Sequence, residues 1–267
     1  MTSDSEPQRR LALTKQAAVL AFLAATAALW PVSQVSAHQP LKIVDFPTAG
    51  LPEKGQYGVD LDLYSDGGLL AGLEVGFFSF LSFGISYGGI GFIGTGDMDM
   101  NPRPEVNARV RILNEDIVMP AIAVGFDSQG YGRFYDDAER YLVKSRGLYA
   151  VASKNWDLAG PFSLHGGVSY SFEDSGDRDP TVFLGAIKTF ANLVEFSAEF
   201  DVAANDNEGS ADIVESRPYV NASIAWYVHD NFSLALDFRD IASSSKKDSE
   251  GGRKWNRGLS LTYRAEI

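Results

Sequence analysis

The sequence predicts an all-β membrane protein, a transmembrane antiparallel up-and-down β-barrel of about twelve strands. Three observations carry this expectation. Past residue 38 the chain divides into segments of roughly ten residues in which apolar and polar side chains alternate. The connections between segments run short, then long. Aromatic residues gather beside the short connections. Tight periplasmic turns, longer outer loops and an aromatic ring at one membrane interface give this pattern.

The first 37 residues read as a secretory signal. Arg9, Arg10 and Lys15 supply a positive start, residues 16–30 are apolar, and Val35-Ser36-Ala37 is a small-residue cleavage site. Residues 38–55 then form an N-terminal periplasmic segment, and residues 56–267 the barrel. No Cys is present, which excludes a lipoprotein anchor, a disulfide framework and a thiol nucleophile.

Alternation identifies the strands in order. Tyr57, Val59, Leu61 and Leu63 oppose Gly58, Asp60, Asp62 and Tyr64. Segments near 69–77 and 80–88 follow with weaker alternation. Val106, Ala108, Val110 and Ile112 oppose Asn107, Arg109 and Arg111, and weaker segments lie near 117–127 and 146–155. Phe162, Leu164, Gly166, Val168 and Tyr170 oppose Ser163, His165, Gly167 and Ser169; a weaker segment spans 180–189. Val194, Phe196, Ala198, Phe200 and Val202 oppose Glu195, Ser197, Glu199 and Asp201. Val220, Ala222, Ile224 and Trp226 oppose Tyr219, Asn221, Ser223 and Ala225. Phe232, Leu234, Leu236 and Phe238 oppose Ser233, Asp237 and Arg239, and Leu259, Leu261 and Tyr263 oppose Ser260, Thr262 and Arg264.

The short connections are 78–79, 114–116, 156–160, 190–193 and 228–231. The long ones are 89–103, 128–144, 173–179, 204–215 and 241–256. Connection 65–68 breaks the rhythm, because it falls on the outer side and is short. Phe77, Phe78, Phe80, Trp156, Phe162, Phe190, Trp226, Tyr227 and Phe232 cluster at the inner rim. Within 128–144, the run 136–141 fits either a helical turn folding into the mouth or, as the default, a plain solvated loop.

A soluble sandwich buries its apolar face, whereas a membrane barrel shows that face to lipid. Charge along the middles of the opposite faces favours the barrel, since a lumen hydrates it and closure removes free sheet edges. Mean hydropathy is −0.09, and no run past residue 38 reaches the roughly 20 apolar residues of a spanning helix. A net charge of −12 excludes nucleic acid as a partner.

With apolar faces outward, the lumen-facing candidates are Asp60, Asp62, Glu74, Asn107, Arg109, Arg111, Lys154, His165, Ser169, Lys188, Glu195, Glu199, Asp201, Asn221, Asp237, Arg239 and Arg264. Both signs are present. Facing acidic and basic rows select polar solutes in a pore; paired across a narrow lumen, the same side chains fill it. The two readings stay open. Lipid hydrolysis needs a Ser nucleophile with a His base. Of 3 His, His38 is terminal and His229 lies in a turn, leaving His165 with Ser163 and Ser169 on its face. No Ser lies two residues after it, so no catalytic residue is assigned. The glycine run 88–96 lacks a following helix and reads as a turn or loop. The oxygen-rich Asn205, Asp206, Asn207, Glu208 and Asp212 depart from EF-hand spacing. No metal or cofactor is assigned.

Several phrases mark a resemblance. Pro47-Thr48-Ala49-Gly50 leads toward the first strand, and residues 83–89 (FGISYGG) end the third. Residues 120–127 (PAIAVGFD) are followed by 149–154 (YAVASK). The last two, in this order, resemble the YjbH-like outer-membrane barrels associated with exopolysaccharide production. The resemblance implies a barrel without catalytic residues and a link to polysaccharide. The chain ends Tyr263-Arg264-Ala265-Glu266-Ile267, without the terminal Phe common in barrels.

The resulting expectation is a Gram-negative outer-membrane protein that meets membrane lipid and the barrel assembly machinery. It passes polysaccharide or small polar solutes, with Arg109, Arg111, Glu195 and Glu199 shaping the lumen. The alternatives are a closed envelope barrel acting through acidic outer loops and, last, a lipid-modifying enzyme.

Overall fold

The computed structural model describes residues 39–94, 97–174, 176–206, 218–242 and 256–266. The signal segment, most of the oxygen-rich acidic stretch after Asp206, the polar run 243–252 and Ile267 lie outside the described residues.

The strands are β1 (Gln56–Tyr64), β2 (Gly68–Phe78), β3 (Leu81–Ile90), the two-residue β4 (Asp99–Met100), β5 (Glu105–Leu113), β6 (Ala121–Asp127), β7 (Tyr131–Tyr135), β8 (Arg140–Val143), β9 (Gly147–Asp157), β10 (Pro161–Tyr170), β11 (Thr181–Phe190), β12 (Val194–Asp201), β13 (Tyr219–His229), β14 (Phe232–Arg239) and β15 (Asn256–Glu266). All but β4, β7 and β8 form the barrel wall, which closes where β1 pairs antiparallel with β15 from Gln56↔Glu266 to Leu63↔Leu259. Closure leaves the wall no free edge, as a bilayer requires.

The burial pattern is inverted relative to a soluble protein. Leu73, Ile85, Leu164, Leu184, Phe200 and Leu236 face outward and are exposed, whereas Arg109, His165, Glu199, Asp201, Asn221 and Asp237 are buried inside. Only a lipid-facing exterior makes that arrangement favourable. Phe77, Phe78, Phe80, Trp156 and Phe190 are exposed at the inner rim, where Phe78 stacks on Phe80 at 5.5 Å and Trp156 meets Phe162 at 6.0 Å. Tyr227 departs from this girdle: it turns inward and donates to Glu195 at 2.9 Å.

The first outer connection is a 3-10 turn at Ser65–Gly67, short as the sequence indicates. Its Asp66 and Gly67 adopt left-handed φ of 60° and 65°. A Cβ on Gly67 would lie 2.0 Å from the carbonyl oxygen of Ile93, so that position requires glycine. The second inner turn is longer than expected. β6 starts at Ala121, not near residue 117, because Asp116 accepts the backbone N–H groups of Val118 and Met119 at 2.7 Å each and holds 116–119 in a turn.

The loop after β6 is not the plain solvated loop taken as its default. A 3-10 turn at Asp136–Ala138 joins β7 to β8 in a hairpin over the mouth, with Arg140 and Tyr141 each 1% exposed. The segment expected at residues 38–55 to lie in the periplasm is described from residue 39. Residues 40–51 run inside the barrel as a strap, closed on itself by an isolated bridge between Lys42 and Pro47. Ile43, Phe46 and Ala49 of the strap form one apolar cluster with Ala121, Ala123, Tyr149, Val151, Phe183 and Ile187 of β6, β9 and β11. Burying each large apolar strap side chain contributes roughly 1.5–3 kcal/mol, which explains why the strap leaves water for the lumen.

Candidate functional site

The lumen is the candidate site, and the strap sets its shape. Glu199 on β12 accepts the backbone N–H groups of Val44, Asp45 and Phe46 at 2.9, 3.0 and 3.1 Å. Three successive N–H groups converging on a carboxylate make an anion-binding nest, here occupied by the barrel's own side chain. Asn221 Nδ2 fixes Glu199 at 2.7 Å. Asp45 in turn accepts from Arg239 Nε at 2.8 Å.

On the opposite wall, Arg109 Nη1 donates to the carbonyls of Leu41 and Gly50 at 2.9 and 2.7 Å, and Arg111 Nε donates to Ala49 at 2.9 Å. Tyr149 accepts from Arg109 Nε at 2.9 Å. Arg109, Arg111 and Glu199 therefore grip strap backbone instead of forming free charged rows. Phe46 lies between the Phe183 ring, stacked at 4.7 Å, and the Arg146 guanidinium, 4.2 Å from its centroid. Burial lowers the pKa of Arg146, but the adjacent Asp201 carboxylate at 2.8 Å outweighs it and holds the charge.

His165 sits between two serines, Ser163 Oγ at 2.9 Å from Nε2 and Ser153 Oγ at 2.8 Å from Nδ1. Ser153 Oγ also accepts the Ala49 N–H at 2.8 Å. A serine occupies the place where a hydrolase would use an orienting carboxylate, so this row ends on the strap.

Beside the strap a polar cavity of about 210 Å³ remains, between Lys42 and the wall of β1, β2, β3, β5 and β12–β15. Asp60, Asp62, Glu74, Asn107, Arg109, Glu195, Asp237 and Arg264 all line it. Its size admits a chain of waters or a small polar solute. The acidic groups outnumber the basic ones. Asp62 meets Lys42 Nζ at 3.3 Å, Asp60 accepts from Thr262 at 2.6 Å, and Glu74 accepts from Ser82 at 2.7 Å. A second cavity of about 250 Å³ opens at the inner rim between Gln39, Trp156, Ser163 and Tyr227.

Two candidates lie elsewhere. Lys154 pairs in register with outward Leu164, and Lys188 pairs with Phe162 and outward Phe196, so both are on the lipid-facing side at the inner rim. Each snorkels to a turn: Lys154 donates to the carbonyls of Asp116 and Ile117, and Lys188 to those of Leu158, Ala159 and Gly160. Ser169 and Asp201 face inward near the outer mouth, where Asp201 meets Arg146 and accepts from Thr181 at 2.7 Å.

The outer mouth is held by a second set of charges. Arg140 makes a two-pronged contact with Asp206 at 2.5 and 3.2 Å, and Tyr219 donates to the same carboxylate at 2.7 Å. Lys144 donates to the carbonyls of Asp177 and Asn205 at 2.7 and 2.6 Å. Glu173 accepts the N–H groups of Tyr141 and Ser145 at 2.8 and 3.0 Å, while Tyr141 donates to Glu105 at 3.1 Å.

The strap is the functional element that alternation alone misses. Its signal is present as apolar side chains on both faces of β6, β9 and β11, which lie close together in the wall. An apolar patch inside a lumen needs an apolar partner, and Leu41, Ile43, Val44 and Phe46 supply it.

No protein-family model matches the chain, and no curated protein matches it. Solved structures with a similar backbone course include a KdgM porin, at TM-score 0.48 and 9% identity over 78% of this chain and 98% of the other. A NanC porin is similar at TM-score 0.48 and 9% identity, covering 79% and 99%. The outer membrane protein Omp33 of Acinetobacter baumannii follows at 0.44 and 9%, covering 81% and 100%.

Proposed function

We propose that the protein is a porin-like barrel of a Gram-negative outer membrane that passes small polar solutes beside a luminal strap. The observation that carries this reading is the polar, acid-rich cavity of about 210 Å³ left between the strap and the wall of a barrel whose exterior is apolar. A strap gripped at Glu199, Arg109 and Arg111 narrows the passage, so the solute is small or the strap moves to admit it. Lipid contacts the apolar exterior, and insertion falls to the barrel assembly machinery. The resemblance to YjbH-like barrels makes exopolysaccharide a second cargo, which requires strap release. No catalytic step is part of this reading.

The hairpin over the mouth supports a second reading, a closed barrel that acts through its outer loops. Single-channel recording in planar bilayers separates the two. The porin reading expects small, cation-preferring openings in the intact protein, and larger openings in Arg109→Glu/Arg111→Glu, which repels the strap carbonyls. A folded barrel silent in both forms establishes the closed reading.

A further inference from the structure

Lys42 is the one lysine of the strap portion that lies inside the barrel, and its side chain is 40% exposed to the cavity beside it. Its ammonium sits 3.3 Å from Asp62 Oδ2. Asp62 is buried; Oδ2 is the oxygen that meets Lys42, and Oδ1 is enclosed in the wall on the side of Ser260, out of reach of the cavity. Asp60 and Asp237 flank the same spot on β1 and β14. Burial works against the Lys42 charge, and the carboxylates of Asp62, Asp60 and Asp237 outweigh it, so the ammonium is retained. The other cation within reach, Arg239, is already engaged by Asp45 at 2.8 Å and Asp237 at 3.2 Å.

We infer that Asp62, with Asp60 and Asp237, forms a binding site for the alkylammonium group of a solute, and that Lys42 occupies it as a built-in stand-in ligand. This rests on the porin reading and names its solute class: small organic cations carrying a primary amine. A buried carboxylate that presents one oxygen to an ammonium beside an open polar cavity, with two further carboxylates near it, selects such a group through charge and hydrogen bonding together. Lys42 arrives on the strap, not on the wall, so the site is vacated when the strap withdraws or when an incoming ammonium competes for Asp62. Nothing in the barrel wall has to rearrange.

Calorimetry in detergent micelles tests this with 1,5-diaminopentane, whose end reproduces the lysine side chain, and with glutarate as an anion of matched length. Lys42→Met empties the site, and diaminopentane should then bind about ten-fold or more tighter than to the intact protein. Adding Asp62→Asn to Lys42→Met should remove that gain, and glutarate should show none of it. Lys42→Gln, closer in polarity, gives the same result if Lys42→Met disturbs the strap. Equal binding to intact and Lys42-substituted protein, or a gain that survives Asp62→Asn, overturns the site. Because micelles need no ion flow, a barrel that binds diaminopentane yet is silent in bilayers overturns only the porin reading. A barrel that conducts but gains no binding overturns only this one.

Discussion

The Phe46 ring of the strap lies flat on the Phe183 ring of β11, with centroids 4.7 Å apart and 4° between planes. Phe183 is fully buried although it belongs to a membrane barrel's inner wall, where polar residues are the rule. This contact converts the lumen from a hydrated tube into a packed core on one side. On the other side the polar cavity remains.

Phe183→Ala removes the stack and leaves a void under the strap, at a cost of about 3 kcal/mol to strap docking. The wall itself keeps its hydrogen-bonded register with β10 and β12. Trypsin cleavage after Lys42 reports undocking, because that bond is reachable only once the strap leaves. The rate should rise about a hundred-fold, with the barrel still folded by heat-modifiable gel migration. A rate unchanged from the intact protein would show that Phe183 does not hold the strap.

The outer wall was legible in the alternation because lipid demands an unbroken apolar face, and residues such as Phe196, Ala198 and Phe200 obey it without exception. Lys154 and Lys188 misled because a long side chain at the rim reaches polar turn carbonyls from the lipid-facing side, so charge there does not report the lumen. β6, β9 and β11 alternate weakly for a physical reason: Ala123, Val151 and Phe183 face inward to receive the strap. The grip on the strap was not legible. Glu199, Arg109 and Arg111 read as pore charges, and nothing local tells a carboxylate that faces solute from one that faces backbone N–H groups thrown across from residues 44–46.

Glu199 is the anchor with the most contacts to strap backbone, so Glu199→Gln should loosen residues 44–46 more than any other conservative change. The amide loses the charge that strengthens these hydrogen bonds, and with its oxygen kept where the three N–H groups converge it turns its NH2 toward the Asn221 Nδ2 donor. Each charge-assisted bond lost weakens docking by about 1.5–3 kcal/mol. Hydrogen exchange at the Val44, Asp45 and Phe46 amides measures this. Protection should fall there while the β12–β13 ladder from Val194↔Trp226 to Asp201↔Tyr219 keeps its own. Retained protection in residues 44–46 would remove Glu199 as the anchor.

At the outer mouth, Arg140 is the only basic side chain with a two-pronged contact to Asp206 among the described residues. Arg140→Ala leaves the buried Asp206 with Tyr219 and the more distant Lys144, 3.9 Å away. Removing one partner of a buried pair costs about 3–5 kcal/mol. The β7–β8 hairpin should therefore swing out and become a chymotrypsin site at Tyr131–Tyr135, while the wall stays resistant. Bilayer traces should lose any flicker the hairpin causes. Unchanged resistance of the hairpin would place its anchoring at Lys144 and Glu173 instead.

Glu173 makes the hairpin pH-sensitive. Burial raises its pKa above the ordinary 4.5, although N–H groups of Ser145 and Tyr141 and the Ser145 hydroxyl pull the other way. With the hairpin docked, Glu173 holds its proton more tightly than when undocked, so docking is coupled to proton uptake. Its contribution is fully present below pH 4.5 and is lost as the pH rises through the raised value of the docked state. Acidification from neutral pH should therefore tighten the hairpin until the pH falls to about the ordinary carboxyl range. Glu173→Gln is uncharged like the protonated form, keeps an acceptor for only one of the Tyr141 and Ser145 N–H groups and turns its NH2 toward the other, so it should hold the hairpin more weakly but to the same extent at pH 4.5 and 7.5. Proteolysis of the β7–β8 hairpin at the two pH values is the readout. The intact protein should be cut faster at pH 7.5, and the difference should vanish in Glu173→Gln. A pH dependence that persists in the variant would assign the titration to another group of the mouth.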